Sequence, residues 1–157
     1  MIYERNKTVC FSGHRIVRRA PRGDLFSVAG VTHQANSGEV EGPVHDPGLY
    51  EELRVRLYDV LEKLCAEGYD TFLCGMAEGF DLLAGEAVCV MKRSDPRLRL
   101  IACVPFPGQA RFFSGVEKER YDRVLESADE VVAICEKYRR ECFYMRNDFM
   151  VEKSGVL

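Results

Sequence analysis

The sequence predicts an α/β protein, a Rossmann-like, doubly wound parallel sheet in three α/β/α layers. Two observations carry that prediction. Short apolar runs stop at Gly or Pro, and longer segments with helical periodicity alternate with them. Runs that are apolar nearly throughout, rather than alternating, suit strands buried on both faces.

The elements follow in order. Thr8-Val-Cys-Phe-Ser12 is the first run, closed by Gly13. Residues 15–47 then have no sustained period and are rich in Gly, Ser, Asn and Pro, so they predict one long loop. Leu49, Leu53, Leu57, Leu61 and Leu64, with Val60, make an i, i+4 stripe, and Gly68 offers a C′ stop. Asp70–Cys74 is the second run, closed by Gly75. A helix over Phe80–Lys92 is apolar nearly all round and predicts burial. Leu98–Val104 is the third run, closed by Pro105. Ser114-Gly-Val-Glu117 has the spacing of a capping box and opens a helix to Ala128. Glu130–Cys135 is the fourth run. Glu141–Lys153 reads as a last helix, with Phe143, Met150 and Val151 toward the core. Gly155-Val-Leu157 begins a fifth strand. Residues 1–157 form a single domain with no internal repeat.

Composition removes several classes. With 22 basic and 25 acidic residues the net charge is −3, so overall charge does not favour nucleic acid. No apolar stretch approaches the roughly 18 residues of a membrane span, and no signal-peptide core opens the chain. Seven cysteines without a Cys-x-x-Cys pair disfavour zinc and a disulfide framework. Cys10, Cys74, Cys103 and Cys135 sit near the ends of apolar runs and read as buried thiols of a cytoplasmic protein.

Ligands of open parallel sheets bind beyond the strands' carboxyl ends. The first such end is Ser12-Gly-His-Arg15, where His14 and Arg15 can face a ligand. The second is Gly75-Met76-Ala77-Glu78-Gly79-Phe-Asp81. Its glycines let backbone N–H groups approach an anion at a helix start, and Asp81 either caps that helix or accepts from a ribose hydroxyl. The same glycines serve a purely structural turn. Gly79→Val is expected to harm ligand binding more than folding. Phe106 reads as loop packing or as a stacking ring. Arg146 and Asn147 can reach a phosphate or sugar, or line a solvated helix face. Glu86 is the candidate catalytic carboxylate, although about 140° of helix separates it from Asp81. His33 and His45 fall in the long loop. Arg15, Arg18, Arg19 and Arg22 form a basic cluster that can meet phosphates.

Taken together, Phe11-Ser-Gly-His-Arg15, Gly75-Met-Ala-Glu-Gly-Phe-Asp81 with Leu82-Leu-Ala-Gly-Glu86, Val104-Pro-Phe, Tyr121 to Ala128-Asp129 and Arg146-Asn-Asp-Phe-Met150 resemble the YpsA-like family of the SLOG superfamily. That superfamily includes DprA and the Lonely Guy-type phosphoribohydrolases. The resemblance covers residues 8–15 and about 48–157. It implies a nucleotide-related ligand at the strand ends, contacted by Ser12, Gly13, His14, Arg15, Gly75, Gly79, Asp81, Arg146 and Asn147, with Glu86 beside them. It also implies a cytoplasmic bacterial protein. The family continues with another strand and a Gly-Gly-Thr turn, so that part of the site is expected to be missing here, and the loop after Arg15 is expanded.

Three functions are open. The first is a nucleotide-binding module, a sensor of a ligand such as ADP-ribose or NAD, working as a homodimer. The second is a nucleotide N-glycosidase like the Lonely Guy relatives, although their Pro-Gly-Gly-x-Gly-Thr segment has no counterpart here. The third is DprA-like DNA binding through the arginine cluster. The first is favoured, with a small-molecule nucleotide as partner and no metal.

Overall fold

A computed structural model describes residues 3–13 and 47–157. The expected loop over 15–47 lies outside the described residues, except that Pro47 opens a helix. The elements are β1 (Thr8–Phe11), α1 (Pro47–Ala66), β2 (Thr71–Cys74), α2 (Phe80–Lys92), β3 (Arg99–Val104), α3 (Gly115–Ser127), β4 (Glu130–Ala133) and α4 (Cys142–Lys153). Short 3₁₀ turns occupy Arg5–Lys7 and Gln109–Phe112.

The strands form one parallel sheet in the order β1-β2-β3-β4. The period-2 rule divides their side chains between two cores. Val9, Phe11, Phe72, Cys74, Leu100, Ala102 and Val104 face α1, α2 and α3, where Leu61, Leu83, Val88 and Val124 meet them. Cys10, Leu73, Ile101 and Cys103 face the other way, against Met150 of α4. This is the predicted three-layer architecture. Because α3 leaves β3 on one face and α4 leaves β4 on the other, the winding reverses between β3 and β4. A crevice opens at such a point.

Local chemistry sets the boundaries. α1 ends in a Schellman motif: Gly68 has φ +96°, the Tyr69 N–H donates to the Leu64 carbonyl at 3.0 Å, and the Gly68 N–H donates to the Cys65 carbonyl at 3.1 Å. The fifth strand is a single parallel bridge between Val9 and Val156, in which the Cys10 N–H donates to the Val156 carbonyl at 2.9 Å. Among the described residues no helix is long and apolar enough to cross a membrane.

Five expectations are corrected. Val60 lies off the α1 stripe and is exposed, and Val151 of α4 is exposed rather than in the core. β4 is a sheet edge with one open face: Val131, in register with Ala102, is 51% exposed. The run Ile134–Cys135 leaves the strand, although Ile134 still donates to the Val104 carbonyl. Ser114 is the N-cap of α3 but makes no side-chain cap bond, and the Glu117 carboxylate that would return the second bond of a capping box goes to the Gly79 amide and Arg120 instead.

Cys10, Cys74, Cys103 and Cys135 are buried as expected, and Cys142 joins them. Burial pushes the Cys103 thiol up to about 12 and the Cys74 thiol well above its ordinary value. At pH 8 the native protein should leave Cys74 and Cys103 unalkylated by iodoacetamide, with full labelling only in denaturant. Mass spectrometry of both states checks this.

Asp129 ties the start of β4 to its neighbours. Its Oδ2 accepts from the Leu100 N–H at 2.7 Å and from Lys92 Nζ at 2.5 Å. Partial burial pushes the carboxyl up, but Lys92 and the Leu100 amide outweigh that and hold it below its ordinary value. The contribution is therefore complete above the usual carboxylate range and is lost as pH falls through the lowered value. Asp129→Ala should cost about 1 kcal/mol at pH 7, the exposed Lys92 pair counting little. Urea titrations should show that deficit shrinking toward pH 3.

Candidate functional site

The turn between β2 and α2 is held by side chains from five elements, α1 among them, whose Tyr50 hydroxyl donates to the Gly79 carbonyl at 3.4 Å. Gly75 follows β2, and its carbonyl accepts from Arg146 Nη1 of α4. Met76 sits in the left-handed region at φ +58°, fully buried, and its carbonyl accepts from Gln109 Nε2 at 2.7 Å. The Ala77 N–H donates to Asp81 Oδ2 at 3.4 Å. The Gly79 N–H donates to Glu117 Oε2 of α3 at 3.2 Å. A non-glycine residue at φ > 0 persists only where its surroundings over-determine it, and these bonds do so.

The two glycines act differently. A Cβ at Gly75 would lie 2.5 Å from Asp81 Oδ2 and 2.7 Å from Arg146 Nη1, so Gly75 is small to admit an ion pair. Gly79 has φ +83° and ψ −121°, which only glycine adopts at low cost. Gly79, not Asp81, is the N-cap of α2; Asp81 lies in its first turn. Asp81 faces Arg146 at 3.8 Å, with 5% and 9% of their side chains exposed. Asn147 Oδ1 accepts from Arg146 Nε at 2.9 Å and so steadies the guanidinium. Arg146, steadied by Asn147, thus takes part in holding the turn.

Glu86 is also engaged. Arg120 forks onto both its oxygens at 3.0 and 2.8 Å and reaches Glu117 Oε1 at 2.7 Å. Burial works against the Arg120 charge, but Glu86 and Glu117 outweigh it and keep the guanidinium protonated above its ordinary value. The ring of Tyr50 lies 5.0 Å from it. Glu117 thus links this buried network to the Gly79 amide.

The first predicted strand end does come beside the turn. Phe11 pairs with Cys74, and Gly13 abuts Phe80, whose side chain would be 2.4 Å from a Cβ there. Ser12 is exposed. His14, Arg15, Arg18, Arg19, Arg22, His33 and His45 lie outside the described residues.

A cleft of about 520 Å³ opens at the carboxyl ends of β2, β3 and β4, where the winding reverses. Ala77 and Glu78 bring the turn to it. Phe106, Phe113, Tyr138 and Phe143 supply aromatic wall, and Gln109, Arg111 and Phe112 come from the short turn after β3. Phe106 is both packing and wall: it is buried, edge-on to Tyr138 at 5.1 Å and to Phe143 at 5.9 Å. Sequence reasoning named Phe106, Ala77 and Glu78 but missed Gln109 and the other rings. The signal available was the stiff Pro105-Phe-Pro107-Gly loop that leads into them.

The YspA SLOG family (YpsA) model matches residues 46–157. The chain belongs to that family. It is 30% identical over 96 residues to a UPF0398 protein of Halalkalibacterium halodurans, covering 60% of this chain and 51% of that one. It is 33% identical over 119 residues to the uncharacterized SPbeta prophage-derived protein YoqJ of Bacillus subtilis, covering 68% and 70%. A UPF0398 protein of Bacillus cereus is 31% identical over 113 residues, covering 71% and 61%. The chain thus spans between about half and 70% of these relatives. SLOG membership suggests a nucleotide-related binding module.

For this SLOG chain the motif around Gly75 and Arg146 is first an electrostatic clasp. Removing one partner of a buried pair leaves an uncompensated charge, which costs about 3–5 kcal/mol. Asp81→Ala should lose about that much in chemical denaturation, above the 0.5–2 kcal/mol of a missing N-cap. Gly79→Val should impair folding itself, reversing the expectation from sequence; a variant with wild-type Tm would refute the clasp.

Proposed function

We propose that the chain is a nucleotide-derivative-binding module that senses a ligand such as ADP-ribose or NAD. The carrying observation is the cleft: about 520 Å³, at the reversal of winding, with aromatic rings as most of its wall. That volume is typical of small-molecule sites, and such rings suit a flat base. The phosphate belongs toward Ser12, Gly13, His14 and Arg15. The Gly79 amide already has a carboxylate on it, which disfavours a second anion there. Arg15 follows Gly13 by two residues in sequence, and an arginine fork suits phosphate oxygens.

The N-glycosidase reading keeps one supporting observation. Glu78 lines the cleft, which Glu86 does not. The hydrolytic carboxylate in that reading is Glu78.

Titration calorimetry with AMP, ADP-ribose and adenosine tests both. AMP and ADP-ribose should bind, and Arg15→Ala should weaken them about tenfold or more, since a charged bond contributes about 1.5–3 kcal/mol and 1.4 kcal/mol is a decade. Adenosine should bind more weakly and ignore the substitution. Equal affinity for adenosine and AMP refutes the phosphate assignment, and no binding refutes the module. Release of free base from AMP favours the glycosidase.

A further inference from the structure

Three sulfur atoms meet where β4 gives way to α4. Cys135 follows β4, Cys142 opens α4, and Met145 lies one turn further along it. Cys142 and Met145 are i, i+3 on one helix and so share a face. Cys135 Sγ stands 4.0 Å from Met145 Sδ. The thiols of Cys135 and Cys142 hydrogen-bond to each other, and both belong to one small core with Phe106.

The surroundings suit a soft metal ion. The Arg139 backbone N–H donates to Cys142 Sγ at 3.2 Å, and Arg139 Nη2 donates to Cys135 Sγ at 3.9 Å. Such donors complement the negative charge of a metal-bound thiolate. The Cys142 contact and burial push the Cys135 thiol above its ordinary value, so a proton stays on it until a metal ion takes its place. Among the described residues no group of three His, Cys, Asp or Glu side chains converges on a metal position, so the third ligand here is the thioether. Zinc sites are built from Cys, His and carboxylates, whereas thiolates joined by a thioether suit Cu(I). Spacing agrees: three sulfurs each about 2.3 Å from a central ion, the usual metal–thiolate length, stand about 4.0 Å from one another. Cys135 and Met145 already have that separation. Met145 is 41% exposed and residues 136–141 are exposed, which gives an ion a way in past the thioether.

We propose that Cys135, Cys142 and Met145 form a three-sulfur binding site for Cu(I). Binding sends the two thiol protons to solvent and leaves two thiolates and a thioether on one monovalent ion. That complex carries one net negative charge, which the Arg139 guanidinium offsets. The site uses none of the atoms assigned to the nucleotide, so it stands apart from that reading.

The test titrates the reduced protein with Cu(I) under anaerobic conditions against the chelator bicinchoninate, and reads the one-to-one complex by copper X-ray absorption. Wild type should withdraw one Cu(I), and that copper should show three sulfurs at about 2.3 Å. Cys142→Ser should lower the affinity by more than the roughly 10–100-fold that loss of a supporting contact costs. Met145→Leu should cut the sulfur shell from three to two. Replacing the half-buried Cys65 and Cys89 by Ser should leave the affinity unchanged. X-ray absorption on wild type needs no substitution, so it decides even if Cys142→Ser fails to fold. Absence of Cu(I) binding, or a shell of oxygen or nitrogen, overturns the site. An affinity that a folded Cys142→Ser retains assigns the copper to other cysteines and overturns it equally. A three-sulfur shell that survives Met145→Leu overturns the thioether ligand.

Discussion

One guanidinium decides how the carboxyl edge of this sheet is built. Arg146 belongs to α4, the helix that covers the face opposite α1–α3, yet it bonds the Gly75 carbonyl and faces Asp81 of α2. It therefore pins the two outer layers to each other at the edge where the ligand is expected. A charge this buried is tolerable only with its partners in place. Gly75 has no side chain because one would occupy that space. Glu117 and Gln109 complete the grip from α3 and from the turn after β3, and Tyr50 adds a bond from α1.

That arrangement changes what the motif means chemically. A glycine-bracketed turn at a helix start invites an anion in principle. Here the chain supplies the negative groups itself, Glu117 on the Gly79 amide and Asp81 on the Ala77 amide. The turn becomes a braced shoulder of the cleft.

The architecture was legible because burial writes itself into short-range pattern. Continuous apolar runs at Thr8–Phe11, Thr71–Cys74 and Arg99–Val104 are strands covered on both faces, and the Leu57–Leu61 spacing is one side of a helix. β4 was misread as fully buried because Glu130–Cys135 has the same apolar look, and only the register beside β3 shows Val131 open. In the site, the turn was legible from its glycines, but the roles of its charges were not. Arg146 lies 71 residues from the carbonyl it binds, and Glu117 lies 38 from its amide. No local spacing encodes such pairings. Gln109 was missed for the same reason: the Met76 carbonyl it binds lies 33 residues away.

The strand order also governs when the site can exist. Each of β2, β3 and β4 pairs with the strand made just before it, so the sheet can grow one edge at a time as the chain emerges from the ribosome. The clasp cannot follow that schedule. Gly75 and Asp81 are synthesised long before Arg146, and until α4 docks on the far face the Arg146 side of the clasp is not in place. The β2–α2 turn is thus shaped early and locked last, which makes a competent site the closing event of assembly.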